Sequence, residues 1–334
     1  MTQTGFLYFS IAGLELHIAE PLMMAQQCDN APKLRLDSFA PFQRTTPSKP
    51  SPDCIVLPAN NEKDWDCGKK LSEAEEMKLL NTFEFSDADA ICRFYKGTAK
   101  ASHFYMLNIE NSNKRISQFK YDTRSNAVLC RLLSADANGD ATDDRIGGIG
   151  NFESRECASH IRFGLWFSLG IAAANSMVAA IHSSTIVYNN QAIMFLGESG
   201  TGKSTHTRLW RENIEGATLL NDDSPFIGFS GKQPMVYGSP WSGKTPCYKD
   251  EKYPLRAIVR LSQAPHNKIR RLKGAEAIGA LLPSLPPAFA YDGRLKELMF
   301  DILSGVLSKA EIYHLECLPN ADAARLVQET LFKI

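Results

Sequence analysis

The residues Gly197, Glu198, Ser199, Gly200, Thr201, Gly202, Lys203, Ser204 and Thr205 follow the apolar run AIMFL (192–196), and they restrict the fold more than any other stretch of the chain. They fit the pattern G-x-x-x-x-G-K-[ST] in full. Glycine permits backbone angles closed to other residues, so consecutive N–H groups can turn inward around an anion. A helix expected to begin near Lys203 adds the positive end of its dipole at the same place. Strand, glycine loop, helix is the order that a phosphate-binding α/β unit requires. The loop therefore reads as a site for ATP, with Lys203 reaching the β- and γ-phosphates and the Ser204 hydroxyl placed for Mg²⁺.

The next segment, ATLLNDD (217–223), is an apolar strand ending in Asn221, Asp222 and Asp223. Two adjacent carboxylates at a strand end allow a division of labour, one holding a metal and the other accepting the proton of an attacking hydroxyl. As an isolated pair they would be read as caps of a turn; close behind a phosphate loop they are read as site residues.

The surroundings are consistent with this. A 334-residue chain exceeds one small core and suggests two domains, divided at the acidic, Gly-rich stretch 134–151. Residues 1–150 alternate β-prone runs with turn signals: GFLYFSI and LELHIAE flank Ala12-Gly13, and HFYMLNIE, RISQFKYD and AVLCRLL follow as an antiparallel meander. The Pro/Ser-rich stretch 41–54 reads as a solvated loop. Asp136, Asn138 and Asp140 have calcium-loop spacing, but Ala141 replaces the turn glycine and Gly147 the bidentate Glu, so a surface loop is expected there.

From residue 151 onward the pattern becomes α/β, with a long helix over about 155–181, strands STIVY and QAIMFL joined by Asn189-Asn190, and closing helices near 274–283, 292–308 and 320–332. The apolar stretch 163–181 contains Ser168, Asn175 and Ser176, and is expected as a buried core helix rather than a membrane span. Lys+Arg and Asp+Glu are both 37, which gives no net field to attract nucleic acid or an anionic membrane. The eight cysteines have no zinc-type spacing and read as reduced thiols of a cytoplasmic protein. Nothing in the sequence fixes the oligomeric state, and a homo-oligomer stays open.

The stretch HSSTIVYNNQAIMFLGESGTGKST followed by LLNDD resembles the catalytic domain of the HPr kinase/phosphorylase family, over about residues 155–334. GTGKST and NDD also resemble the motifs of phosphoenolpyruvate carboxykinases, which share that family's fold. The resemblance implies a C-terminal kinase domain preceded by a smaller β-rich domain. Its activity would be transfer of the ATP γ-phosphate to a serine of a small protein or peptide. It further implies Lys203 and Ser204 on the triphosphate and metal, Asp222 and Asp223 as metal ligand and base, and His182 beside the transferring phosphate. A lone His at a strand start is as often structural. The stretch VYGSPWSGKTPCYKD (236–250) lacks that family's Glu and Arg-Gly signature, which speaks against phosphorolysis. Gly238, Ser239, Ser242, Gly243 and Lys244 instead suggest a second loop suited to phosphate oxygens or an acidic acceptor, walled by Pro240 and Trp241; a tight turn is the alternative. Two other functions stay open at this stage: a nucleotide-binding regulatory or scaffold protein, and a small carboxykinase-like lyase.

Overall fold

The structure, a computed structural model, describes residues 5–20, 38–58, 76–85, 90–99, 102–111, 115–135, 141–142, 155–243 and 245–332. The chain divides into two compact units. One takes its described residues from Met1–Asp37 and Gln43–Ala172, the other from Ser38–Phe42 and Ala173–Ile334. The division falls between residues 172 and 173, inside a helix, and not in the acidic stretch 134–151 where the composition shift suggested it. The physical reason is aromatic packing by the first part of that helix, α1 (Arg155–Asn175). Phe167 meets Phe94 edge-on at 4.8 Å and Phe163 meets Phe83 at 6.2 Å, so this part belongs to the first core. Most of the calcium-like stretch lies outside the described residues; only Ala141–Thr142 are placed, as a short strand pairing residues 134–135.

In the first unit, strands β1 (Phe6–Ile11), β2 (Leu14–Ala19), β3 (Gln43–Arg44), β4 (Cys54–Pro58), β5 (Glu76–Phe85), β6 (Ala90–Ala99), β7 (Ser102–Asn111), β8 (Arg115–Asp122), β9 (Ala127–Ala135) and β10 (Ala141–Thr142) form one sheet. Its order is β3-β1-β2-β4-β9-β8-β7-β6-β5, with β10 on β9. The meander expected for β7–β9 is present and extends through β6 and β5. The β1–β2 hairpin joins it through β4, which runs parallel to both β2 and β9. Cys92 and Phe94 on β6 are buried while Ile91 is exposed, the period of two that a sheet with one covered face requires.

The Pro/Ser-rich stretch is solvated over residues 45–51, but both its ends are buried at Phe42 and Cys54. It is also tied down. Glu15, 3% exposed, accepts hydrogen bonds from the Ser48 backbone N–H and hydroxyl and from His17.

Helix α1 stops at Asn175, short of the expected 181. Met177 adopts the left-handed conformation (φ 57°), and Val178 N–H bonds the Ala173 carbonyl while Met177 N–H bonds that of Ala174. These are the paired bonds of a Schellman motif, with methionine where glycine is usual. Among the described residues, no helix is long and apolar enough to cross a membrane.

The second unit contains β11 (Ala179–Ala180), β12 (Ser184–Tyr188), β13 (Gln191–Leu196), helix α2 (Lys203–Asn213), β14 (Thr218–Asn221), β15 (Phe226–Ser230), β16 (Gln233–Tyr237), β17 (Lys252–Gln263) and β18 (Lys268–Leu272). It closes with α3 (Ala275–Leu281), α4 (Gly293–Leu307), β19 (Glu311–Cys317) and α5 (Ala321–Phe332). Asn189 and Asn190 both have positive φ, the type I′ geometry that joins β12 to β13 without splaying them. The long strand β17 serves two neighbourhoods. Its first residues pair antiparallel with β16, and the remainder runs parallel to β13 on one side and β19 on the other. Helices α2 and α5 cover this region with Leu209, Trp210, Val327 and Leu331, packed on Ile193, Phe195, Val259 and Leu315.

Strand direction fixes what meets what. β14 pairs antiparallel with β12, which pairs antiparallel with β13, so β14 and β13 end at the same sheet edge and β12 begins there. The loop after β13, the acids after β14 and the residues before β12 must therefore gather at that edge.

Candidate functional site

The loop between β13 and α2 has Gly200 at φ 80° and Gly202 at φ 104°, angles that side chains rarely adopt. Gly202 caps α2 without any side-chain hydrogen bond, so the first turn keeps backbone donors aimed into the loop. Lys203 Nζ donates to the Gly197 carbonyl at 2.8 Å and the Glu198 carbonyl at 3.3 Å. Burial pushes its ammonium below the usual lysine range, Asp223 and Asp222 pull it back up, and Arg260 adds to the depression. Ser204 and Thr205 are partly exposed at the helix start.

Asp222 is 6% exposed. Its Oδ1 accepts from the Ser184 hydroxyl at 2.6 Å and its Oδ2 from the Thr245 N–H at 3.3 Å. Ser184 lies in turn 2.9 Å from the Thr207 hydroxyl on α2, so one carboxylate is tied to β12 and, through it, to the loop helix. Asp223 has a side chain 41% exposed, with His182 Nε2 3.9 Å from its Oδ1. Burial lowers the His182 pKa and Lys203 lowers it further, against the pull of Asp223. His182 is held from the backbone, its N–H bonding the Ser284 carbonyl. Lys203, Asp222, Asp223 and His182 are thus brought together.

Three side chains that build the corner carry no role in the sequence motifs. Asn221 is fully buried; its Nδ2 donates to the carbonyls of Trp241 (3.0 Å) and Ser239 (3.3 Å), while its Oδ1 accepts the N–H groups of Asp223 (3.0 Å) and Ser224 (2.9 Å). Ser184 could have been noticed as a polar opening to an apolar strand, since a buried hydroxyl implies a partner. Arg260, the third, interrupts the apolar run of β17; its Nη2 is 3.5 Å from Glu198 Oε1.

The second loop differs from the expectation of free hydroxyls. Ser239 is fully buried and donates to the Ser224 carbonyl at 2.6 Å, and Ser242 donates to the Thr245 carbonyl at 2.7 Å. Gly238 lies under the Lys249 carbonyl, and a side chain on Gly243 would come within 2.9 Å of the Asp222 carbonyl. The segment is a brace for the acidic corner, and its hydroxyls are spent on it. Trp241 is buried, edge-on to Phe39 and Phe226. Lys244 lies outside the described residues.

Beside the loop, a cleft of about 540 Å³ is lined by Thr201, Thr205, Leu209, Leu261, Leu318 and Pro319, among others. Its walls mix polar groups, His206 and Gln263 among them, with apolar ones, and it opens on the N-terminus of α2. The described cysteines 54, 92, 130, 247 and 317 are free thiols, and burial pushes Cys54 and Cys92 up to about 12.

No family model matches the chain, and no curated protein matches it either. Among solved structures, the HPr(Ser) kinase/phosphatase from Coxiella burnetii shows a weak likeness, at 12% identity and a TM-score of 0.27. The match covers 46% of this chain and 92% of that one.

Proposed function

We propose that the second unit is a MgATP-dependent phosphotransferase that passes the γ-phosphoryl group to a hydroxyl, namely a serine of a small protein or peptide. The observation that carries the reading is the gathering of a glycine loop with its lysine, a pair of carboxylates and a histidine at one sheet edge. The choice of a protein or peptide serine rests on the motif resemblance.

Asp222 and Asp223 take different parts. Asp222 is buried and oriented by Ser184, which suits the metal side. Asp223 is the more exposed and lies beside His182, which suits proton acceptance. Among the described residues no three His, Cys, Asp or Glu side chains gather as a metal centre. That donor set fits Mg²⁺, which takes one or two carboxylates plus nucleotide phosphates rather than a cage of protein ligands. Asp222 and the Ser204 hydroxyl would hold it; the ion would supply charge neutralisation on the phosphates.

In the transfer, the acceptor oxygen bonds the γ-phosphorus and the bond to the β,γ-bridging oxygen breaks. The electron pair leaves on ADP, and the hydroxyl proton passes to Asp223. Lys203 and the loop amides hold the charge that shifts. The test is incubation of the chain with γ-labelled ATP, Mg²⁺ and lysate of its host. A labelled protein or peptide at serine is expected; tight ATP binding with no labelled product would leave a nucleotide-binding protein without transfer activity.

A further inference from the structure

Among the described residues, Arg260 is a cation beside the loop that neither the motifs nor the scheme above uses. Its backbone pairs in register with Leu196, the residue just before Gly197, so its position on β17 is fixed by sheet pairing. The side chain is 22% exposed and reaches toward the loop. It makes a 3.3 Å bond to the Ala280 carbonyl and a 3.5 Å contact with Glu198, both at the outer limit of hydrogen bonding. A guanidinium carries five N–H donors, so two long contacts leave most of its capacity unspent. Its charge is felt by Lys203, on the ammonium expected to meet the γ-phosphate. The recess there has a volume of about 390 Å³ and is lined by Glu198, Ser199, Gly200, Thr201, Arg260 and Ser262, among others.

Glu198 is a weak partner. Its side chain is 81% exposed, and solvent screening leaves pairs of that kind little net attraction. A phosphate offers the planar guanidinium two oxygens for bidentate pairing and a higher charge. A structural arginine at a buried strand end would have short bonds to fixed acceptors, as Arg256 does with Glu311 at 2.6 Å and the Leu331 carbonyl at 2.7 Å. Arg260 has none of that.

We infer that Arg260 binds the terminal phosphoryl group as a built-in cation that strengthens in the transition state, and that Glu198 occupies it until nucleotide arrives. This rests on the MgATP reading. In nucleotide-hydrolysing enzymes an arginine so placed is worth about 10³–10⁵ in turnover.

The experiment measures ADP–Mg²⁺ affinity with and without aluminium fluoride, which completes ADP to a mimic of the transferring phosphoryl group, for the wild type and for Arg260→Gln, Arg260→Lys, Lys203→Ala and Glu198→Gln. Arg260→Gln is expected to keep ADP affinity within about twofold while losing at least about tenfold of the fluoride-dependent gain, with Arg260→Lys between it and the wild type. Lys203→Ala should lose both. Glu198→Gln should tighten ATP by up to about fivefold, the worth of an exposed pair. A fluoride gain equal in wild type and Arg260→Gln overturns the inference and leaves the kinase reading standing. A wild type that binds neither ADP nor the mimic overturns both. Unchanged ATP affinity in Glu198→Gln removes the stand-in role of the carboxylate.

Discussion

Replacing Asn221 by alanine removes the amide that joins the strand end before the acids to the loop at 239–241. Three buried or half-buried backbone groups lose their partner, the Ser224 N–H, the Ser239 carbonyl and the Asp223 N–H, while the Trp241 carbonyl keeps the Ser239 hydroxyl at 3.0 Å. A buried donor or acceptor left unpaired costs about 1–3 kcal/mol. Ser224 and Ser239 are 7% and 0% exposed, so water cannot replace the amide there, whereas Asp223 is partly open to solvent. Taking about 1.5 kcal/mol for each of the two buried groups and about 0.5 for the third gives a loss near 3.5 kcal/mol. Asn221→Asp is the sharper comparison. It keeps the acceptor for Asp223 and Ser224 but turns a second oxygen toward the Trp241 and Ser239 carbonyls and adds a buried negative charge beside Asp222. Its loss at pH 7 should equal or exceed that of Asn221→Ala. Urea unfolding followed by tryptophan fluorescence measures both, read as a shift in midpoint at unchanged slope. An alanine variant within 1 kcal/mol of wild type, or an aspartate variant milder than alanine, would refute the reasoning.

Lys203→Ala should weaken ATP binding by at least about tenfold while leaving the melting temperature unchanged, checked by calorimetric titration and thermal unfolding. Asp222→Asn and Asp223→Asn should both depress transfer by about 10² or more, but Asp223→Asn should retain the Mg²⁺-dependent part of ATP affinity and Asp222→Asn should not. Met177→Gly relieves a left-handed methionine and should stabilise the chain by about 0.5–1 kcal/mol in urea; a destabilised variant would contradict the cap geometry. The Arg256 hydrogen bond holds the Glu311 carboxyl below its usual range despite burial. Because the folded value is depressed, the stabilisation is present above the unfolded pKa and disappears as pH falls through the folded one. Stability curves of wild type and Glu311→Gln should therefore be separated at pH 7 and converge only as pH falls below the ordinary glutamate range.

What could be read from the sequence was local in the chain. The glycine loop, the Asn189-Asn190 turn, helix Lys203–Asn213 and the apolar strand before Asp222 each announce themselves within a dozen residues, because backbone angle and side-chain period are set there. The end of α1 was not legible, since the stop depends on a left-handed residue that is not glycine. Strand β19 (EIYHLEC) was missed for another reason: buried Ile312 and Tyr313 stand side by side and break the alternation that marks a strand. Partners far apart in sequence were also hidden. Nothing near Ser239 shows that its hydroxyl answers the Ser224 carbonyl, and nothing near residues 38–42 shows that Phe39 lies against Trp241.

Strand β17 also has a consequence in time. Its first residues find β16 across the loop 238–251, but its central residues complete the sheet only with β13 and β19, each roughly sixty residues distant along the chain. Those parallel pairings close long loops before they bury Ala257, Ile258 and Val259, so the entropy is lost early and the burial is gained late. The second unit should accordingly be a slow folder whose middle strand is the last to be framed, and until then the phosphate loop has no neighbour on its β17 side.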